Sequence, residues 1–287
     1  MKRLNLKSPA LTLIVGGLLA LTTLMVLGEP SMANTRSDQQ HDDVRQGLPG
    51  RRISGGSRSP NTACLATPNQ PVVALMPKSN LGLTLSERPT FWFALPAISP
   101  DRMLEFGLYD EAGGLIYQER FNASGKAGIS SLSLPDTFSP LSAEQDYRWY
   151  LSVVCNPESR SEDLVVTGWI RRMQADSELR TKLANTTLQE RLSVYETSEL
   201  WFDTLTTIAE LRRRAQADTQ IDNAQVDNAQ IDNAQIDNDL MLQLAGDPSL
   251  DAQQIDEQWQ DLLASIDLTQ VATVPFSDEP MRSPMRP

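Results

Sequence analysis

The chain has 287 residues, and 25 Lys and Arg against 37 Asp and Glu leave a formal net charge of −12, with one histidine and two cysteines. A pI near 4.6 and the lack of any basic block exclude a phosphate-tracking nucleic-acid surface, which needs clustered Lys and Arg to release counterions. The single histidine, His41, lies in a polar stretch, so histidine triads, His-metal sites and Cys/His zinc modules lack their parts, and no cofactor or metal set is read.

At the N-terminus, Lys2, Arg3 and Lys7 precede an uncharged, Leu-rich run from Ser8 to Gly28. Glu29-Pro30 break the run, and Ser31-Met32-Ala33 places small residues where a signal peptidase needs them. Residues 1–33 therefore read as a secretory signal peptide cleaved after Ala33. The alternative is an uncleaved anchor, since the run is long enough to span a bilayer. Cleavage removes three positive charges and Glu29, which shifts the net charge from −12 to −14. The expected location is extracytoplasmic, periplasmic or secreted, with membrane attachment only through an uncleaved segment.

Residues 34–63 are rich in Gln, Asp, Arg, Ser and Gly without apolar periodicity, and burial there cannot offset ordering entropy, so they are expected to form a flexible leader. Gly55-Gly56 lack the spacing of a phosphate-binding loop.

From residue 64 to 173 short apolar runs alternate with Gly, Pro, Asn and Asp. The spacing predicts strands at Val72–Met76, Leu81–Leu85, Thr90–Leu95, Leu104–Tyr109, Leu115–Phe121, Ile129–Leu134, Tyr147–Cys155 and Leu164–Met173. In Tyr147–Cys155 the residues Tyr147, Trp149, Leu151, Val153 and Cys155 share one face, which is the period-two signature of a half-buried strand. Asp110-Glu111-Ala112-Gly113-Gly114 can supply the turn of a hairpin. Eight short strands with regular turn signals and no intervening helix predict an antiparallel, immunoglobulin-like β-sandwich.

A helical period follows. Residues 174–215 are expected to hold a short helix over Asp176–Asn185 and a helical hairpin whose first helix is capped by Thr187, with Glu190 completing a capping box. Leu188, Leu192 and Tyr195 form its stripe, and Trp201, Leu205, Ile208 and Leu211 continue it on the next helix. Arg212-Arg213-Arg214 are expected at that helix's C-terminal end, complementing its dipole, with an anionic-partner patch as the alternative. Tyr195, Trp201, Asp203, Thr204, Ala209 and Leu211 give the pair a tetratricopeptide-like pattern, although one unit cannot bury its faces alone.

Residues 216–239 carry four copies of a five-residue repeat that begins Gln220-Ile221-Asp222-Asn223-Ala224. Residues five apart are about 140° apart on a helix and on opposite faces of a strand, so neither structure gains a buried stripe. A polar linker is expected, with partial helical continuation as its variant; the Asp spacing does not match a calcium loop. Residues 240–270 should include a helix with the stripe Ile255, Trp259, Leu262, Leu263 and Ile266, and residues 271–287, with four prolines, a disordered tail.

Three features carry possible chemistry. An even cysteine count in an oxidising compartment favours a Cys64–Cys155 disulfide, closing a loop of about 90 residues and contributing about 3–5 kcal/mol; two buried thiols are the alternative. The segment Asn156–Asp163 gathers Glu158, Glu162 and Asp163 around Arg160, a set that could contact a glycan, although a solvated loop explains it equally. Trp92, Trp149 and Trp169 could stack on sugars but sit at strand positions that usually fill a core. Serines are numerous, without a histidine base for any of them.

Gly47–Arg58, Leu83–Phe93, Tyr147-Arg148-Trp149-Tyr150 leading to Cys155-Asn156-Pro157 and Arg160–Asp163, then Gly168-Trp169-Ile170 and Leu200–Leu211, resemble a cyanobacterial family of exported proteins known as domain of unknown function 928. The likeness spans roughly residues 47–270, and the repeat tract departs from it as an insertion. It implies an extracytoplasmic protein and supplies no catalytic residues. The expected function is a non-enzymatic, exported or envelope-associated interaction protein whose partner is another envelope or exported protein. The alternative is a cell-wall or exopolysaccharide glycan-binding module or hydrolase.

Overall fold

The computed structural model describes residues 50–55, 64–65, 70–184, 186–223, 252–277 and 281. The expectations for residues 1–33, for most of the leader and for the repeat tract beyond Asn223 fall outside them.

Among the described residues eight strands form: β1 (Val73–Ala74), β2 (Leu81–Thr84), β3 (Thr90–Leu95), β4 (Met103–Tyr109), β5 (Leu115–Asn122), β6 (Gly128–Ser133), β7 (Gln145–Val154) and β8 (Leu164–Arg172). They make a three-stranded sheet, β1-β3-β6, and a five-stranded sheet, β2-β8-β7-β4-β5. Among the described residues four helices follow: α1 (Ser177–Ala184), α2 (Leu188–Thr197), α3 (Trp201–Asn223) and α4 (Ala252–Ser265).

The alternation in β7 sets the inner face of the larger sheet. Trp149 lies opposite Leu108 on β4 and Gly168 on β8, and Leu151 lies opposite Phe106 and Val166. Gly168 is required there, because a Cβ would run into the Trp149 indole. This inner face packs on Phe91, Phe93 and Leu132 of the smaller sheet. Phe91 is 4.9 Å from Phe106 between ring centroids, and Phe93 is 5.7 Å from Trp149.

The smaller sheet is buried on its other face too, and here the helices explain why β3 reads as a continuous apolar run. Trp92, Ala94 and Ile129 point away from the larger sheet into a second core with Leu205 and Ile208 of α3 and Ile255, Trp259 and Leu263 of α4. The molecule thus has three layers: large sheet, small sheet, helices.

Four expectations are corrected. The sheets are not purely antiparallel, because β2 runs parallel to β8, with Leu81 opposite Trp169 and Thr84 opposite Arg172. Period-two patterning specifies a face and not a direction. Within the expected leader, Arg51 pairs with Thr167 and Ile53 with Val73, and Arg52 donates to the carbonyls of Met76 and Ile266 at 2.9 and 3.0 Å. The arginine run lies inside α3, which continues to Asn223. Arg212 is buried there, its guanidinium carbon 5.3 Å from the Trp259 ring centre, its Nε 2.6 Å from Asp256. The expected tail begins with ordered chain, since Ile129 N–H donates to the Pro275 carbonyl, Ser277 N–H donates back to the Ile129 carbonyl, both at 2.8 Å, and Phe276 meets Trp92 edge to face at 5.9 Å.

Cys64 and Cys155 are joined by a disulfide with an S–S distance of 2.16 Å, tying the segment before β1 to the end of β7.

Candidate functional site

Of the acids in the loop Asn156–Asp163, the fold takes up Asp163. Asp163 accepts hydrogen bonds from Ser152 Oγ at 2.8 Å, Arg160 Nε at 2.6 Å and the Cys155 amide at 3.2 Å, and its side chain is only 3% exposed. It is a structural anchor for the turn after β7. Glu158 is exposed in an Asx turn, its amide donating to Asn156 Oδ1 at 3.0 Å. Glu162 ends the 3-10 turn Arg160–Glu162.

Arg160 reaches from this loop to a residue that sequence reasoning missed. Glu105 lies on the outer face of β4, 4% exposed, and accepts from Arg120 Nε at 2.6 Å, Tyr150 Oη at 2.8 Å and Arg160 Nη2 at 3.2 Å. Burial works to raise its carboxyl, but the Tyr150 hydroxyl and the two guanidinium groups outweigh it and hold it below the usual carboxylate range. Burial first, then Glu105, pushes Tyr150 up to about 12. Beside this network Tyr109 and Tyr150 lie 5.9 Å apart, with Arg148 5.3 Å above the Tyr109 ring. Trp92 and Trp149 are core residues, while Trp169 is half-buried on the outer face.

A cleft of about 940 Å³ opens elsewhere, where the outer face of β2 and β8 meets the helices. Its apolar lining includes Leu81, Leu83, Met173, Trp201 and Leu262. Trp201 is held by its indole N–H, which donates to the Leu75 carbonyl at 2.9 Å. The charged lining residues are Glu144, Glu196, Glu199, Asp261 and Arg171. Arg171 is matched by Asp146, bidentate at 2.6 and 2.7 Å, and Glu144 accepts from the Gln174 amide at 2.8 Å. Burial raises the Glu196 carboxyl above its ordinary value. None of Glu158, Glu162 and Asp163 lines the cleft.

The backbone around this cleft is unusual. Among the described residues, the non-glycine residues with positive φ are Asn80, Glu144, Glu199 and Asp267, at 62°, 59°, 56° and 58°. Glu144 and Glu199 line the cleft, Asn80 lies between the lining residues Ser79 and Leu81, and Asp267 is two residues past the lining residue Ser265. The sequence folds this way at Glu199 because α2 ends in a Schellman motif. Glu199 N–H donates to the Glu196 carbonyl at 3.0 Å, and Leu200 N–H to the Tyr195 carbonyl at 2.9 Å. The end of α4 repeats the pattern, Asp267 to Ala264 at 3.0 Å and Leu268 to Leu263 at 2.9 Å. Both motifs place an acid where glycine is the low-strain choice, at a helix end whose dipole disfavours negative charge, and at Asp267 a Lys78 ammonium 2.7 Å away offsets this.

Asp203, in the first turn of α3, accepts from the Leu85 amide at 3.0 Å and ties α3 to the end of β2. Desolvation pushes its carboxyl up to about 6 against the opposing effect of Leu85 and Thr84.

Comparison with known proteins adds a family and little more. The model of the family described as Domain of Unknown Function (DUF928) matches residues 53–238. No curated protein matches the chain. Among solved structures, the β-glucuronidase of Parabacteroides merdae is similar over 32% of this chain and 13% of its own, at 11% identity and a TM-score of 0.23. The CARDB domain of the PF1109 protein from Pyrococcus furiosus, crystallised with di-metal ions, is similar over 36% of this chain and 90% of its own, at 12% identity and a TM-score of 0.22. Likenesses of that size carry no functional argument.

Proposed function

Since the chain belongs to the DUF928 family, whose description assigns no activity, we propose its function from geometry: an exported, non-enzymatic interaction protein that receives a partner in the cleft between the large sheet and the helices. In this reading the two sheets form an immunoglobulin-like sandwich, and α2 and α3, linked by Ser198–Leu200 with Ala209 buried, form a tetratricopeptide-like hairpin. The carrying observation is the concentration of left-handed, non-glycine backbone around the cleft. Such conformations cost of order 1–3 kcal/mol each, and chains retain them where a surface has work to do.

Export rests on the basic, apolar and Ser-Met-Ala segments ahead of Asn34, and the Cys64–Cys155 bridge is of the kind that persists in oxidising compartments. Cell fractionation with mass mapping tests both parts. The expected result is an extracytoplasmic protein beginning at Asn34, with Cys64 and Cys155 peptides linked under non-reducing conditions and cross-links to a partner protein at Glu199 and Gln258. Recovery from the cytoplasm with free thiols overturns export. Cross-links confined to other surfaces overturn the cleft.

A second reading, glycan binding, is favoured by Tyr109 and Tyr150 on the outer face beside the Arg160 loop. Retention on insoluble wall glycan that is lost in Tyr109→Ala would rank it first.

A further inference from the structure

The outer face of the large sheet carries a second surface, separate from the cleft. We infer that Arg148, Tyr109 and Tyr150 on this face take a largely neutral glycan bearing spaced uronic-acid carboxylates; this rests on the face being a glycan surface at all. Tyr109 on β4 lies opposite Arg148 on β7, and Gly107 opposite Tyr150, so the three side chains are neighbours. None of them lines the cleft.

Tyr150 is held in place before a ligand arrives. Its side chain fills the space over Gly107, where a Cβ would come within 2.1 Å of Cε1. Its hydroxyl donates to Glu105 at 2.8 Å, and Arg120 Nε and Arg160 Nη2 donate to the same carboxylate at 2.6 and 3.2 Å. Gln118 Nε2, from β5, donates to the Tyr150 hydroxyl oxygen at 3.3 Å. The buried Glu105 thus positions a ring that stays half-buried beside a second one, Tyr109, at 5.9 Å. Rings fixed in this way offer apolar surface and hydroxyl groups to a sugar at little cost in side-chain entropy.

Arg148 decides which glycan. It is exposed, and among the described residues its partner is the Tyr109 ring, 5.3 Å from its guanidinium carbon, and not a carboxylate. The neighbouring acids are taken: Glu105 has its three donors, and Asp146, two residues away on the same face, is bidentate to Arg171 at 2.6 and 2.7 Å. Stacking engages the face of a guanidinium and leaves its in-plane N–H fork for a planar carboxylate, a bidentate match that a sugar hydroxyl does not offer.

The surroundings limit how much charge the ligand carries. The chain has a net charge of −12, and Asp146, Glu144 and Glu111 all act electrostatically on Arg171, which lies opposite Asp146. Salt confines such fields to about 8 Å under physiological conditions. One carboxylate set on Arg148 meets that cation first, whereas a polymer charged at every ring also meets the acids and is repelled. A neutral backbone with isolated uronic acids satisfies both conditions.

The test uses the disulfide-bonded chain and three soluble oligosaccharides: xylotetraose, xylotetraose carrying one uronic-acid branch, and tetragalacturonate. Calorimetry ranks the affinities, and the amide NMR shifts of Gly107 and Arg148 locate binding. The branched oligosaccharide is expected to bind tightest and to shift both amides. Arg148→Gln should weaken it by about tenfold, to the level of plain xylotetraose. Arg148→Lys, which keeps the charge without the fork, should recover only part of the loss. Tyr109→Ala, and Gly107→Ala through displacement of Tyr150, should each weaken the plain and branched ligands alike by about tenfold. Lys182→Gln on α1 should leave binding unchanged. Equal affinity for the plain and branched oligosaccharides overturns the carboxylate assignment and leaves the glycan surface standing. Tightest binding of tetragalacturonate overturns the sparse-charge part. Failure of all three to shift Gly107 or Arg148 overturns the proposal together with the glycan reading beneath it.

Discussion

The core between the two sheets and the cleft beside the helices are built on opposite principles. In the core, Phe91, Phe93, Phe106 and Trp149 interlock with almost no exposure, and the gaps left by Gly168 and Gly82 are filled by the Trp149 indole and the Phe202 ring. Around the cleft, acids occupy left-handed positions, Glu199 sits at a helix end whose dipole disfavours its charge, and the Glu196 carboxyl is partly desolvated. The first region spends its residues on stability. The second gives some stability up, and that contrast points to where a partner is met.

The contrast can be broken by substitution. Trp149→Ala should be the most damaging change, costing about 3–5 kcal/mol through lost contacts and a cavity between the sheets. Chemical denaturation checks this, and a loss below about 1 kcal/mol would mean that the two sheets do not depend on each other.

Asp203 sharpens the comparison from the cleft side. Its folded value of about 6 lies above the ordinary 3.8, so protonation favours the native state. The stabilisation it contributes is therefore complete below about pH 4 and lost as the pH rises through 6, an amount of about 3 kcal/mol for a shift of about two units. The difference in unfolding free energy between the native chain and Asp203→Asn, followed from pH 4 to 7, should show this slope. A pH-independent difference would remove Asp203 from the list of groups strained at the junction of α3 and β2.

The smallest and most telling effect is expected at Glu199. Glu199→Gly relieves the left-handed backbone and should stabilise the fold by about 1 kcal/mol. Thermal unfolding measures the change, and a variant less stable than the native chain would show that the Glu199 side chain serves the fold.

Much of the sandwich was legible residue by residue. Tyr147, Trp149, Leu151 and Val153 announced the inner face of β7, and the Thr187/Glu190 capping box is present, with Glu190 N–H donating to Thr187 Oγ1 at 3.3 Å and Thr187 N–H to Glu190 Oε2 at 2.8 Å. The candidate site was not legible. Glu196 and Glu199 read as ordinary helix charges, and no glycine marked the Schellman turns. Glu105 carried a faint signal, a carboxylate at an interior position of the apolar run Leu104–Tyr109. Arg212 was misplaced because the repeat tract hides how far α3 continues.

The sequence by itself determined the strands and the Thr187/Glu190 cap and favoured the Cys64–Cys155 pairing, because alternation and capping act between neighbours and two thiols allow one bridge. Tertiary structure alone decided the parallel entry of β2, the burial of Arg212 against Trp259 and Phe276, and the cleft. Its walls come from residues 77–83, 144, 171–173, 195–204 and 258–265. No local pattern encodes the meeting of segments so far apart, and the left-handed turns that shape it are held by packing against the rest of the fold.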